Sequence, residues 1–405
     1  MTRSVKKSWQ RHNELKQYLG AGSSTGSKAP HYEGDAPALI VRGKGCRVWD
    51  LDGNEYIDFR NALGPVTLGY AIDEIDQAVI AQLKDGIIFG HPHPLEGEVA
   101  ERLCGVIPCA EKVRFLKTGG EALSATIKIA RAVTGRNRIV QCGYNGWLNN
   151  LSAPAGQVPR GAAEAQPLRG VPAELSNLHR SLPWDDIDTW EEYFSELGVE
   201  TAAAVIACDY AAMDRGAEFL PAVRALTEKH GTLLVIDEIV TGFRLAVGGA
   251  QEYFKIMPDM AVFGKGMANG MPISVYAGRA DLIEEARAVG ITSTFGGETL
   301  ALAATAAVMD FYTENKVIDH IWKAGASLWG QARDMAGKHN FPLELKGLDA
   351  CPRFSFESSE AQEAFFRAAY RNGLSFYDVS YVNYSHQEDD TAETLKRLEG
   401  AFKDA

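Results

Sequence analysis

Lys265 stands between two glycines in MAVFGKGMANGMPIS, directly after a short apolar run. An amine confined in that way can attack a carbonyl and form a Schiff base, whereas a lysine in an open surface turn would do neither. Upstream, LLVIDEIVTGFR ends an apolar run in Asp237 and Glu238. A carboxylate there is costly to bury unless it meets a cation or a protonated nitrogen; the plainer alternatives are a cap on the next segment or a pair with Arg244. In KTGGEALSATIKIARAVTG, Thr118, Gly119 and Gly120 separate the apolar run 113–116 from a helical pattern with apolar positions at Ala122, Ala125, Ile129, Ala132 and Val133. Free N–H groups at such a helix start suit a phosphate, although an ordinary glycine-rich turn has the same composition. The motif is neither a Walker A loop nor a dinucleotide G-x-G-x-x-G. CGYNGW places Tyr144 and Trp147 beside glycines, where they either stack on a flat ring or pack locally.

A phosphate cradle, an acid for a ring nitrogen, a Schiff-base lysine and a stacking aromatic are together the parts that pyridoxal 5'-phosphate requires. Their positions in the chain agree with that reading. Apolar runs at 113–116, 138–142, 203–208, 233–237 and 260–264 alternate with amphipathic stretches of helical length. Such alternation predicts crossover units and a mostly parallel sheet covered by helices, and open α/β sheets hold ligands where their strands end. Before this region, LIVRGKGCRVWDLDGNEYIDF is divided by Gly45 and Asp52-Gly53 into a small β-meander. After it, 300–337 is apolar at helical spacing, and the tail from Pro342 has short strand-like runs and a final amphipathic helix. The expected division is 1–65 as an N-terminal segment and meander, 66–300 as a large α/β domain, and 301–405 as a smaller α+β domain shared with the N-terminus. Residues 154–183 read as the most loop-like stretch.

Composition excludes other classes. With 41 basic and 53 acidic residues the formal charge is −12, and no Lys/Arg-rich run offsets it locally, so nucleic acid and anionic membranes are not expected partners. Six scattered cysteines without C-x-x-C or zinc-finger spacing read as reduced thiols, with no metal site. Neither a secretory leader nor an apolar stretch of membrane-spanning length is visible, which points to the cytoplasm.

RGKGCRVWDLDGNEYIDF, LGPVTLGY, GRNRIV, IDEIVTGFR, GGAQEYF, PDMAVFGKGMANGMPISVYAGR and TSTFGGETLALAA, in this order across about residues 38–312, resemble the signature segments of class III aminotransferases. These are pyridoxal-phosphate enzymes of fold type I, and the resemblance is nearest to the glutamate-1-semialdehyde aminomutase branch. It implies that Lys265 carries the cofactor and moves the proton, and that Asp237 keeps the pyridine nitrogen protonated. It further implies that Thr118, Gly119 and Gly120 bind the phosphate, that Tyr144 lies over the ring, and that Thr294 reaches the phosphate of a neighbouring subunit. That last role implies a homodimer with shared active sites.

The sequence departs from the family at five places. Gly120 replaces a Ser or Thr, Asn145 a His, and Cys208-Asp209 a Glu-Pro; Lys28 stands nearest to the aminomutases' carboxylate-binding arginine; and SFYDVSYVNYSHQEDD lacks the C-terminal arginine of many transaminases. Only the guanidinium fork grips a carboxylate with two bonds, so these losses turn the substrate expectation away from a small anion. Hydroxyl and aromatic side chains point instead to a hydroxylated, sugar- or aminocyclitol-like carbonyl acceptor, with Lys28, Arg60, Trp147 and Tyr384 as candidate substrate residues. The expected reaction moves an amino group from an amino-acid donor such as glutamate, in specialised or envelope metabolism. An aminomutase or epimerase uses the same lysine and acid. A nicotinamide-dependent dehydrogenase is a distant alternative that lacks its glycine fingerprint, and a non-catalytic homologue is disfavoured by Lys265 and Asp237.

Overall fold

The computed structural model describes residues 3–148 and 169–405. The chain divides into two compact units, one formed by 1–73 with 319–405 and the other by 74–318.

In the smaller unit a helix, Lys6–Leu15, precedes the expected meander, β1 (Ile40–Lys44), β2 (Arg47–Asp50) and β3 (Glu55–Asp58), paired antiparallel. The larger unit carries β4 (Lys112–Leu116), β5 (Arg138–Cys142), β6 (His179–Ser181), β7 (Thr201–Ala207), β8 (Leu233–Asp237), β9 (Met260–Phe263) and β10 (Ser274–Gly278). They form one sheet in the order β4-β10-β9-β8-β7-β5-β6. β10 runs antiparallel to both neighbours, while the pairs among β5 to β9 are parallel. This is the mostly parallel α/β sheet of fold type I. β7, β8 and β9 are buried along their whole length, which explains why TAAAVIA, LLVID and MAVF read as unbroken apolar runs rather than as alternation.

Two strands go beyond the sequence expectation. β10 lies in the flank that follows Lys265, and β6 is a three-residue edge strand, His-Arg-Ser, inside the segment expected to be loop. Residues 154–168 of that segment lie outside the described residues. The helix Gly119–Thr134 covers the sheet with Ala122, Leu123, Ala125, Ile127, Ile129 and Ala130 buried. Ala132 and Val133, expected on that face, are exposed in its last turn, before Gly135 closes the helix in the left-handed region at φ 68°.

The division falls at 73 and 318 rather than at 65 and 300. Tyr70 remains with the smaller unit because it bridges to Gly45 and donates its hydroxyl to Asp58 at 2.8 Å. Helix Thr299–Glu314 remains with the larger one, burying Ala301, Leu302, Ala304 and Val308. The smaller unit is completed from the C-terminus by β11 (Leu343–Lys346) paired with β12 (Arg353–Phe356), and by β13 (Leu374–Ser375) parallel to β3. Helices Ser359–Arg371 and Glu388–Asp404 pack over an aromatic core that includes Phe59, Trp329, Phe354, Phe365 and Phe376. Among the described residues no helix is long and apolar enough to cross a membrane.

Candidate active site

The ends of four strands in the larger unit bring the motifs together. β8 ends in Asp237, which is level with Val262 on the adjacent parallel β9, and Lys265 follows three positions beyond Val262. Thr118, Gly119 and Gly120 follow β4, and Tyr144 follows β5. Side chains and turns that leave parallel strands at their carboxyl ends converge on one edge of the sheet, where such folds hold ligands.

Ile239 joins three of these segments. A Cβ added to Gly119 would come within 2.8 Å of Ile239 Cδ1, and one added to Gly264 within 3.1 Å of the same atom. Glycine at both positions therefore lets the turn at 118–120 and the approach to Lys265 close around the residue that follows the acid pair. The 142–147 loop packs as tightly: a Cβ on Gly146 would lie 3.3 Å from Gly120 Cα, and one on Gly120 would lie 3.2 Å from Leu148. At Gly120, where the family has a hydroxyl side chain, the space is thus bordered by Leu148.

Asp237 is buried at the end of β8, and the Ile239 N–H donates to its Oδ1 at 3.0 Å. Burial pushes its carboxyl up from the ordinary 3.8 to about 7; the Ile239 N–H and the Lys265 ammonium oppose that rise, and Glu238 adds to it. Among the described residues it has no ion pair, so the expected alternative, a pair with Arg244, is not formed. Glu238 beside it is satisfied internally, accepting from Thr241 Oγ1 and from the N–H groups of Ala250 and Gln251. The two adjacent acids are therefore distinct: Glu238 is held by four internal hydrogen bonds, whereas Asp237 accepts one among the described residues, from the Ile239 N–H, the cap on the next segment that the sequence also allowed.

Lys265 opens a short 3₁₀ turn, Lys265–Ala268, with its own backbone in the left-handed region at φ 43°. An L-residue held there stores about 1–2 kcal/mol of strain, a cost that persists where the surrounding fold fixes the side chain for a task.

Thr118 caps the helix in a reciprocal box. Its Oγ1 accepts from the Glu121 N–H at 3.3 Å, and its own N–H donates to Glu121 Oε2 at 2.8 Å. With Thr118 engaged, the N–H groups of Gly119 and Gly120 are the first-turn donors without an acceptor among the described residues, at the positive end of a sixteen-residue helix. Ser274 Oγ donates to the Thr118 carbonyl at 2.8 Å and fixes the turn against β10. Tyr144 and Trp147 are exposed, at 60% and 67% of their surface.

Thr294 is exposed on a turn that packs so closely on β4 that a Cβ at Gly296 would meet the Phe115 carbonyl at 2.7 Å. Sequence reasoning missed what anchors that turn. Lys117, next to the phosphate turn, pairs with Glu298 at 2.8 Å, the two side chains being 16% and 11% exposed. Glu298 also caps helix Thr299–Glu314 by accepting from the N–H groups of Leu300 and Ala301. One ion pair thus ties both segments expected to meet phosphate.

The remaining candidates, Lys28, Arg60 and Tyr384, belong to the smaller unit. Lys28 and Arg60 line one cavity there. Tyr384 does not line it; its ring faces His320 at 5.0 Å and its N–H donates to the Thr67 carbonyl. No cluster of His, Cys, Asp or Glu suited to a metal occurs among the described residues.

Gly119 leaves a cradle that a Cβ would fill, donors stand free at a helix start, and the buried Asp237 forms no ion pair among the described residues. These features fit the phosphate and ring nitrogen of pyridoxal phosphate. Residues 29–399 match the family described as aminotransferase class-III, and the chain belongs to it. It is a pyridoxal-phosphate-dependent aminotransferase of fold type I. Glutamate-1-semialdehyde 2,1-aminomutase of Persephonella marina is 32% identical over 417 residues, covering 96% of this chain and 97% of its own length. The enzyme of that name from Sulfurihydrogenibium azorense is also 32% identical, covering 99% of both chains. Among solved structures, the FumI protein of Sphingopyxis sp. MTA144, determined with pyridoxal phosphate, is 25% identical with a TM-score of 0.86, covering 98% of this chain and 96% of its own. An omega-transaminase from Sphaerobacter thermophilus shares the fold at 24% identity and a TM-score of 0.86, covering 98% and 97%.

Proposed function

We propose that the enzyme moves an amino group from an amino-acid donor, glutamate, to the carbonyl of a hydroxylated, sugar- or aminocyclitol-like acceptor. The observation that carries the site is the placing of Asp237 and Lys265 at the ends of adjacent parallel strands, with the Gly119 turn closed on the intervening Ile239. Pyridoxal phosphate, when bound, supplies the carbonyl that takes up the donor's amine and a ring that accepts the electron pair left at Cα. Lys265 would hold the cofactor at rest; displaced by the donor amine, its Nζ would be the base that takes the proton from the donor's Cα and delivers it across the shared nitrogen to the carbonyl-derived carbon of the cofactor. Asp237 holds the ring nitrogen protonated, and the N–H groups of Gly119 and Gly120 hold the phosphate. In this reading Tyr144 covers the ring, and Trp147, Lys28, Arg60 and Tyr384 are the candidate substrate residues. The hydroxylated acceptor is supported by Lys28 being the residue nearest to the aminomutases' N-terminal arginine and by the tyrosines of the 377–384 stretch.

The same reading includes a homodimer in which Thr294 serves the partner's phosphate. Its support is an exposed apolar edge at Ile87, Ile88, Phe89 and Phe295, close to Thr294 because Thr299 bonds the carbonyls of Gly86 and Ile87. A mutase that returns the amine to its own carbon skeleton is the second reading, favoured by the shared name of the two relatives at 32% identity.

The absorption spectrum of the holoenzyme before and after excess L-glutamate tests the first reading. Conversion to the pyridoxamine form, with release of 2-oxoglutarate, is the expected result. No spectral change with glutamate, and an isomerised product formed without any donor, would establish the mutase instead.

A further inference from the structure

A cavity of about 420 Å³ lies wholly within the smaller unit, between the chain around 28–43 and the segments bearing Phe366, Tyr370 and Tyr377. Its volume is in the range of small-molecule sites and suits a ligand of one ring or two. Flat aromatic faces make up much of its wall, among them Tyr32, Tyr70, Phe366 and Tyr377.

Arg60 is half-buried in this wall and has no ion pair among the described residues. Its Nη1 donates to Tyr370 OH at 3.2 Å and its Nη2 to the Ser27 carbonyl at 2.8 Å. Both acceptors are neutral, and the Tyr377 ring covers a face of the guanidinium at 4.9 Å. Of the five guanidinium donors these contacts use two, so three remain for a ligand approaching in the guanidinium plane.

The acids of the cavity accept bonds from neutral groups rather than from the Arg60 guanidinium, although Asp58 also accepts from the Arg60 backbone N–H at 3.4 Å and its charge favours the guanidinium. Asp58 accepts from Ser375 Oγ at 2.7 Å, Tyr70 OH at 2.8 Å and the Asn61 N–H at 3.0 Å. Asp378 accepts from Gln362 Nε2 at 2.9 Å. Lys28 and Arg42 add two more cations to the lining, and neither has an ion pair among the described residues; Arg42 lies over the Trp49 ring at 3.9 Å. In a chain of formal charge −12, this lining carries three cations to two acids, and none of the three cations forms an ion pair among the described residues.

We propose that this cavity binds a ring-bearing carboxylate, the ring lying against the tyrosine and phenylalanine faces and the carboxylate taken in the plane of the Arg60 fork. A planar carboxylate matches two parallel N–H donors, and aromatic faces accept either a flat ring or the C–H face of a hydroxylated one. Asp58 fixes the floor by holding Tyr70 and the Asn61 backbone. The site extends the aminotransferase reading without depending on the lysine chemistry, because occupancy is a binding event.

The test is calorimetric titration of the holoenzyme, without amino donor, with benzoate and D-glucuronate, and with benzamide and methyl glucoside as their neutral counterparts. Either acid should bind at least tenfold more tightly than its neutral counterpart, and the preferred acid distinguishes a flat ring from a hydroxylated one. Arg60→Gln should weaken that acid at least tenfold, while Arg60→Lys, which keeps the charge but loses the fork, should lose less. The Lys variant also secures the result if the Gln variant fails to fold. Absence of binding by both acids, equal binding of the neutral analogues, or unchanged affinity in the Arg60 variants would overturn the proposal. Failure of the glutamate reaction would leave these heats readable, so the two readings fail separately.

Discussion

Replacing Asp237 with asparagine removes a carboxyl that burial has raised from 3.8 to about 7. Between those values the unfolded chain has released this proton and the folded, cofactor-free protein still holds it. Stability therefore falls as pH rises, by about 1.4 kcal/mol for each pH unit, until the folded group has ionised as well. From pH 5 to pH 8 the part of this window that remains runs from 5 to about 7, which amounts to roughly 3 kcal/mol. A side-chain amide does not titrate, so Asp237→Asn should gain roughly 3 kcal/mol relative to the native sequence over that change of pH. Urea unfolding of the cofactor-free proteins at both pH values, followed by tryptophan fluorescence, measures it, and taking the difference between the two proteins cancels the other titrating groups. Curves that shift in parallel with pH would mean that Asp237 is ionised throughout and that burial does not control it. In the loaded enzyme the same substitution should act in the opposite sense, weakening cofactor binding because a protonated ring nitrogen then lacks its carboxylate.

Lys265→Ala should abolish transamination, by at least about a thousandfold, and remove the visible band of the lysine-linked cofactor while the far-ultraviolet circular dichroism stays native; appreciable turnover would sink the assignment. Gly119→Ala drives a methyl against Ile239 and should raise the cofactor dissociation constant at least tenfold, an overpacking cost of about 1–3 kcal/mol. Combining it with Ile239→Ala should recover part of that loss, and strict additivity in a fluorescence titration with pyridoxal phosphate would show that the contact is not the cause. Lys117→Met should destabilise by about 1–2 kcal/mol, and Glu298→Ala by about 1 kcal/mol more because it also removes a helix cap. Equal denaturation midpoints for the two variants would contradict the double role of Glu298.

The large sheet was readable because its central strands are buried on both faces, so 201–207, 233–237 and 260–263 stand out as unbroken apolar runs. β6 gave no such signal, since an edge strand of three polar residues buries little. The convergence of Asp237, Lys265 and the Gly119 turn was legible because each lies at or within three residues of the end of a strand. What draws them together was not: Ile239 lies inside a recognisable motif, but its contacts with Gly119 and Gly264 exist only after the strands are placed side by side. The partner of Lys117 is 181 residues away, and no spacing rule joins them. The cavity around Arg60 was equally hidden, because its wall combines residues 28–43 with 366–378. Side-chain inventory suggested a hydroxylated substrate; the Arg60 fork with donors to spare emerged only from knowing which groups around it were already bonded.

The left-handed backbone at Lys265 has an evolutionary consequence. Its strain is tolerated while the amine is under selection, and a descendant that gave up the reaction would keep the cost without the benefit. Asn and Gly occupy that backbone region most cheaply. Drift in an inactive lineage should therefore run toward those two residues at position 265, ahead of the arginine that preserves charge or the alanine that preserves bulk least. A homologue carrying Asn or Gly there, with the flanking glycines intact, would mark a fold relaxed after its chemistry was lost.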